Sequence, residues 1–111
     1  MAAEPLFTTL EALAVDRSAA GRRYYEFLRV RDLSAGLYHL EAGAADQQSP
    51  HSEDEIYVVI RGQAGFRAGT SDLEVGPGSV LFVPARVEHR FHSVRAALEV
   101  LVIFAPAESA D

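Results

Sequence analysis

The chain has 111 residues, 49 % of them hydrophobic, and a formal net charge of −6; this length corresponds to one domain with a single core. The chain contains no cysteine, which excludes disulfides, thiolate metal ligands and cysteine nucleophiles. The acidic balance argues against a nucleic-acid partner, and without an apolar run of 18 residues or a basic leader sequence we expect a cytoplasmic protein with no membrane partner.

Residues 1–23 are predicted to form an N-terminal arm with at most a short helix. TTLEALAVD places Leu10 and Leu13 at helical spacing behind a threonine that can cap a helix, but the pattern lasts two turns at most. The stretch RSAAGRR that follows predicts a loop. The main domain is therefore expected over residues 24–111.

Beyond the arm, short apolar or alternating runs are separated by glycine and proline about every 8–12 residues. The runs are YYEFLRVRD, AGLYHLEAG, EIYVVIRG, QAGFRAGT, DLEVGPGS, SVLFVPA, EHRFHSV and ALEVLVIFAP. About eight short strands with no helices between them are typical of an all-β sandwich or barrel.

The stretch SPHSEDEIYVVIRG places His51 four residues before Glu55, at the start of an apolar strand. An imidazole and a carboxylate are a suitable ligand pair for first-row divalent metals. Tyr57 and Val59 alternate with Glu55, so all three side chains are predicted to face one pocket. Tyr57 could hydrogen-bond a substrate there.

In the stretch GPGSVLFVPARVEHRF, Pro84 ends one strand and His89 begins the next after a short bend. His89 could face the same interior as the first histidine and the glutamate, and two histidines with one carboxylate are a known metal-binding arrangement. Phe91 shares the face of His89 and is predicted to form a wall, whereas His92 is predicted to point outward.

Several other side chains receive simpler interpretations. Val80 and Phe82 alternate on one strand and are expected in the core. His39 is a second candidate imidazole if the pocket extends to the second strand. Arg86 and Arg90 are expected near the pocket rim, where they could attract an acidic substrate.

Together the two stretches resemble the cupins, small jelly-roll proteins whose motifs read G-x5-H-x-H-x3,4-E-x6-G and G-x5-P-x-G-x2-H-x3-N. The residues in register are His51, Glu55 and Gly62 of the first motif and Gly78, Pro84 and His89 of the second. The resemblance covers residues 24–105. It implies an all-β, double-stranded β-helix or jelly-roll barrel.

Three positions depart from the cupin motifs. Ser49 stands where the first motif has its first histidine, Arg86 replaces the glycine of the second motif, and Ser93 replaces its asparagine. The usual set of metal ligands is therefore incomplete.

By this resemblance the metal ligands are His51, Glu55 and His89, and a fourth position is open. Gln48 is the first candidate for it because its side chain has the reach and a carbonyl oxygen. Gln47 is the second candidate and water the third.

The resemblance implies a small-molecule enzyme with one divalent metal, Fe, Mn, Ni or Zn, acting as a dioxygenase, isomerase, cyclase or lyase. Glu55 would be a ligand and, if the metal leaves it, a base; Tyr57 would contact the substrate. The alternatives are a barrel that binds a small ligand without turnover, and a dimeric structural protein with a degenerate site. A homodimer is expected, since exposed sheet edges and the arm need covering.

Overall fold

The computed structural model describes residues 4–109, which form one helix and six strands. The elements are α1 Leu10–Ala20, β1 Tyr24–Val30, β2 Leu33–Leu40, β3 Asp54–Ala68, β4 Ser71–Val75, β5 Val80–Val83 and β6 His89–Ala105. All strand pairs are antiparallel in the order β1-β2-β6-β3-β4, and β5 also pairs with β3. The all-β prediction is confirmed. Within residues 4–109, no helix has the length and apolar character needed to cross a bilayer.

The strands are fewer and longer than the sequence predicted. β3 joins two of the expected strands and runs through Gly62, while β6 joins two others and runs through Ser93. Both residues have positive φ, 102° and 51° respectively, and the pairing of β3 with β6 shifts register three times near Gly62. The prediction that Gly62 ends a strand was wrong, because a bulged strand can bend and continue.

Gly62 also allows the two long strands to approach each other closely. A Cβ atom at this position would lie 2.5 Å from the carbonyl oxygen of Ala97 and 2.6 Å from the Cα of Leu98. Only glycine fits such an approach without moving the partner backbone. The bend in β3 and its contact with β6 therefore both depend on this residue.

The N-terminal helix is longer than predicted. It begins after Thr9, whose hydroxyl accepts the Ala12 N–H at 3.0 Å, and ends at Gly21, which has φ 66°. The predicted loop over residues 17–20 is helical, because alanines favour helix and the left-handed glycine caps its carboxyl end. The helix contacts β1 and β2 through a face that includes the buried Leu13. The domain division at residue 23 stays a prediction, and the predicted ends at residues 1–3 and 110–111 lie outside the described part.

The core lies between the inward faces of the long strands. In β3 burial alternates as predicted, with Glu55, Tyr57 and Val59 all at most 2 % exposed. Phe91 on β6 packs against Tyr57 with ring centroids 5.1 Å apart. The start of β3 and the start of β6 thus direct their side chains into one interior.

The prediction that Val80 and Phe82 lie in the core was wrong, since they are 68 % and 62 % exposed. The register of β5 on β3 explains this. Val83 lies opposite Glu55, and paired residues share a face of the sheet. The inward positions of β5 are therefore the alternate ones, including the buried Val83.

Candidate metal centre

Three predicted ligands come together at one end of this interior. Ligand atoms of His51, Glu55 and His89 all lie within 4.8 Å of one another. Glu55 stands at the start of β3, His89 is the first residue of β6, and His51 lies in the loop before β3. The His51 carbonyl accepts the Arg86 N–H at 2.6 Å, which fastens that loop to the bend before β6.

Two of the positions that depart from the expected motifs have a left-handed backbone. Arg86 stands at the motif's glycine and has φ 69°, and Ser93 stands at the motif's asparagine and has φ 51°. Glycine and asparagine are the residues that most easily adopt this left-handed region. The backbone on both sides of His89 therefore bends at residues that seldom adopt this conformation.

The Glu55 and His89 side chains are each 1 % exposed, and Glu55 Oε1 lies 3.1 Å from His89 Nε2. Neither oxygen of Glu55 nor Nε2 of His89 has an aligned hydrogen-bond partner. Buried polar atoms are normally satisfied, so a cluster of unsatisfied ones needs an explanation. A divalent metal would satisfy all three atoms, and imidazole with carboxylate suits such a metal. The residues present fit the group that the resemblance implied.

A backbone carbonyl sets the orientation of the His89 ring. Nδ1 of His89 lies 2.8 Å from the Val87 carbonyl oxygen, and because a carbonyl can only accept, Nδ1 carries the proton. Burial alone lowers the pKa of His89, but the Glu55 carboxylate and the Val87 carbonyl outweigh it, so the pKa is raised. Protons and a metal would therefore compete for Nε2.

Gln48 directs its amide oxygen into the same space. Its Oε1 lies 3.3 Å from His51 Nε2 and accepts the Tyr57 hydroxyl at 2.9 Å. Burial, together with Glu55, raises the pKa of Tyr57, so its hydroxyl stays protonated. Gln47 lines a neighbouring surface cavity, which Gln48 and His89 also border, but it does not line the cavity that Gln48 shares with Glu55 and Tyr57. This placement favours Gln48 over Gln47, and its role as fourth ligand stays a prediction.

Asp46 holds Gln48 in place and was missed from the sequence. Its buried carboxylate accepts three hydrogen bonds, from the Tyr38 hydroxyl at 2.6 Å, the Gln48 amide at 2.8 Å and the Phe91 N–H at 2.8 Å. A carboxylate can only accept, so the NH₂ group of Gln48 must face Asp46 and its oxygen must face the cavity. No motif marks Asp46, because its partner Phe91 is distant in sequence.

We expect Asp46→Asn to lower the free energy of unfolding by about 1–3 kcal/mol. Both carboxylate oxygens of Asp46 accept hydrogen bonds, whereas an amide has only one oxygen and its NH₂ group cannot accept. Urea unfolding followed by circular dichroism measures this. Asp32→Asn is the matched control, since the Asp32 side chain is 76 % exposed and should change stability by less than about 0.5 kcal/mol. Equal unfolding midpoints for the two variants would contradict a structural role for Asp46.

A cavity of about 170 Å³ is lined by two of the three predicted ligands, His51 and Glu55. Its lining combines aromatic and apolar walls with polar groups, namely Tyr24, Tyr38, Gln48, His51, Glu55, Tyr57, Val102, Phe104 and Glu108. The hydroxyl of Tyr24 is buried without a hydrogen-bond partner. Such a cavity suits a small organic molecule that can accept or donate hydrogen bonds.

Glu108 is the second functional candidate that the sequence did not reveal. Its Oε2 lies 3.4 Å from Nδ1 of His51. Burial, followed by the nearby carboxylates of Glu55 and Glu53, raises the pKa of Glu108 to about 6. The residue lies beyond the last strand, in a stretch with no motif, so nothing in the sequence indicated that it would reach the cavity.

The other predicted side chains lie outside this cavity. His39 pairs with the Glu41 carboxylate at 3.0 Å on β2. His92 points outward as predicted and lies 2.7 Å from the Asp72 carboxylate. Arg90 lines the separate surface cavity that includes Gln47.

Comparisons with known proteins agree with the fold and with the two motifs. The family described as the cupin domain matches residues 36–104. The uncharacterised protein SCO3923 of Streptomyces coelicolor is 46 % identical over 100 residues, which is 90 % of this chain and 95 % of that protein.

Two solved structures share the architecture. TT1209 from Thermus thermophilus superposes with a TM-score of 0.74 at 22 % identity, over 91 % of this chain and 97 % of that chain. The DMSP lyase DddQ from Ruegeria pomeroyi gives a TM-score of 0.64 at 26 % identity, over 68 % of this chain and 39 % of the lyase. With the family match over more than half of its length, the chain belongs to the cupin family.

Proposed function

We propose that this cupin binds one divalent transition metal, Fe, Mn, Ni or Zn, and acts on a small organic molecule held in the adjacent cavity. The observation that carries the proposal is the convergence of unsatisfied, buried atoms of Glu55 and His89 beside His51. These three residues would hold the metal, with Gln48 as the fourth ligand.

A bound divalent metal would supply Lewis-acid polarisation of a carbonyl or enolate oxygen. The side chains around the cavity would shield the ligand, bind it and transfer protons. Phe104 and Val102 would exclude water from the ligand. The Tyr57 hydroxyl, which donates its proton to Gln48, would accept a hydrogen bond from the ligand. Glu55 would take a proton when it is not a ligand.

Enzymatic turnover is supported by the structural likeness to a DMSP lyase, which shares the fold over 68 % of this chain. Fold alone does not determine a reaction, so we propose the class of metal-dependent small-molecule enzyme. The homodimer and the cytoplasmic location remain predictions. Leu73, Val80 and Phe82 are large apolar side chains left exposed, which is consistent with a second copy covering them.

The metal content of the purified protein tests the proposal. Protein from cells grown with trace metals should contain about one metal per chain, and His51→Ala, Glu55→Ala and His89→Ala should contain almost none. His39→Ala and His92→Ala are matched controls, since these histidines lie outside the cavity, and they should keep the metal. Wild-type protein that contains no metal even when metal ions are supplied at micromolar concentration would overturn the proposal.

The same assay addresses the fourth ligand and catalysis. Gln48→Ala should weaken metal binding, and an unchanged affinity would remove Gln48 from the ligand set. A wild type that binds metal and small molecules but turns none over in a substrate screen would favour the binding module.

A further inference from the structure

The chain after β6, residues 106–109, is held by hydrogen bonds beside the cavity, which Glu108 lines; we name this segment the C-terminal strap. Three successive backbone N–H groups and one carbonyl bind other elements. The N–H groups of Ala107, Glu108 and Ser109 donate to the Arg31 carbonyl at 3.5 Å, to Ser34 Oγ at 2.9 Å and to Glu53 Oε2 at 3.2 Å, respectively. The Glu108 carbonyl accepts a hydrogen bond from Arg29 Nη2 at 2.5 Å. The partners lie on β1, β2, the turn between them and the loop before β3, so the position of the strap is well defined.

This anchoring directs the Glu108 side chain towards His51. Glu108 Oε2 lies 3.4 Å from Nδ1 of His51, while the other ring nitrogen, Nε2, lies 3.3 Å from the Gln48 oxygen. The side chains of Glu108 and His51 are only 25 % and 20 % exposed, respectively. Glu108 is not a member of the group of ligand atoms within 4.8 Å of one another, and its contact with the predicted ligands is with His51.

A metal-binding histidine commonly donates its second N–H to a carboxylate or a carbonyl, which fixes the tautomer and increases the basicity of the ligating nitrogen. The Val87 carbonyl serves His89 in this way. The corresponding neighbour of His51 is the Glu108 carboxylate, which lies at ion-pair distance from Nδ1 rather than in an aligned hydrogen bond. The two histidines of the site would thus be oriented by different acceptors, His89 by the Val87 carbonyl and His51 by the Glu108 carboxylate of the strap.

We propose that Glu108 is a positioning residue of the metal centre: its carboxylate keeps the proton of His51 on Nδ1 and leaves Nε2 free for the metal. This inference rests on the proposed function. It makes the C-terminal strap part of the site, although the strap lies outside both sequence motifs and outside the matched domain, which ends at residue 104.

Metal affinity tests the inference. Zn²⁺ titrations in competition with a chelating dye should give a dissociation constant about 10–100-fold higher for Glu108→Ala than for the wild type. The dissociation constant of Glu108→Gln should lie between them, because an amide oxygen at this place can attract the Nδ1 proton but carries no charge. Glu41→Ala is the matched control, since it removes a carboxylate from His39 outside the cavity, and it should leave the affinity unchanged.

The tautomer of His51 gives a second readout that needs neither metal nor a variant. Long-range ¹H–¹⁵N spectra of the metal-free wild type should show His51 protonated on Nδ1, because the Glu108 carboxylate is a stronger acceptor than the Gln48 amide oxygen that faces Nε2. Protonation on Nε2, or wild-type affinity in Glu108→Ala, would overturn the inference and leave the proposed function standing. A wild type that binds no Zn²⁺ would overturn both.

Discussion

The exchange of Glu55 for glutamine is expected to abolish the stabilisation of this protein by metal. At a free metal concentration 100 times the dissociation constant, binding contributes about 2.7 kcal/mol to the folded state. For a domain of this size that corresponds to a rise in Tm of about 10 °C. The Tm of Glu55→Gln should rise by less than about 2 °C under the same conditions, because Glu55 is the one anionic residue of the proposed ligand set and an amide would leave the divalent cation with neutral ligands only. Thermal melts with Zn²⁺ or Mn²⁺, against melts in EDTA, measure both shifts.

A second buried carboxylate provides the control for this experiment. Glu99 is 5 % exposed and its Oε1 also lacks a hydrogen-bond partner, but it does not line the cavity. Glu99→Gln should therefore keep the full metal-dependent shift. If Glu55→Gln kept it as well, Glu55 would not be a ligand, whereas loss of the shift in both variants would indicate a general effect of removing buried charge.

Gly62→Ala is expected to reduce the free energy of unfolding by about 3 kcal/mol or more. Two causes combine: φ is 102°, which strains any residue with a Cβ, and the new methyl group would meet the Ala97 carbonyl oxygen at 2.5 Å. The clash is with backbone, so no side-chain rotation can relieve it. Urea unfolding midpoints and m values, measured by circular dichroism, give the loss.

Gly78→Ala separates the two causes. Gly78 has a similar φ of 91°, but a Cβ there would meet no atom within 4 Å. This variant should therefore lose only the conformational part, about 1–2 kcal/mol. Equal losses at the two positions would show that the close approach of β3 to β6 carries no additional cost.

Local pattern was sufficient to predict the residues that face the interior along β3. Side chains alternate strictly in a strand, so the placement of Glu55 also placed Tyr57 and Val59. The same rule failed on β5, where Val80 and Phe82 were assigned to the core. Alternation identifies two faces but does not say which is inside, and that choice depends on the register with β3.

The number of strands was mispredicted for a related reason. A glycine in a sequence can end a strand or bend it, and the two are indistinguishable without the partner strand. Gly62 bends β3, because β6 continues alongside it.

The sequence by itself determined the all-β class, the cupin motifs and three residues that can bind a metal, since these depend on spacing along the chain. Only the tertiary structure decided that these residues meet, and that buried atoms of Glu55 and His89 have no aligned hydrogen-bond partners there. It also revealed Asp46 and Glu108, whose roles depend on contacts with Phe91 and His51. Such contacts between distant parts of the chain follow from strand register and from the path of the C-terminal strap, and neither leaves a local pattern.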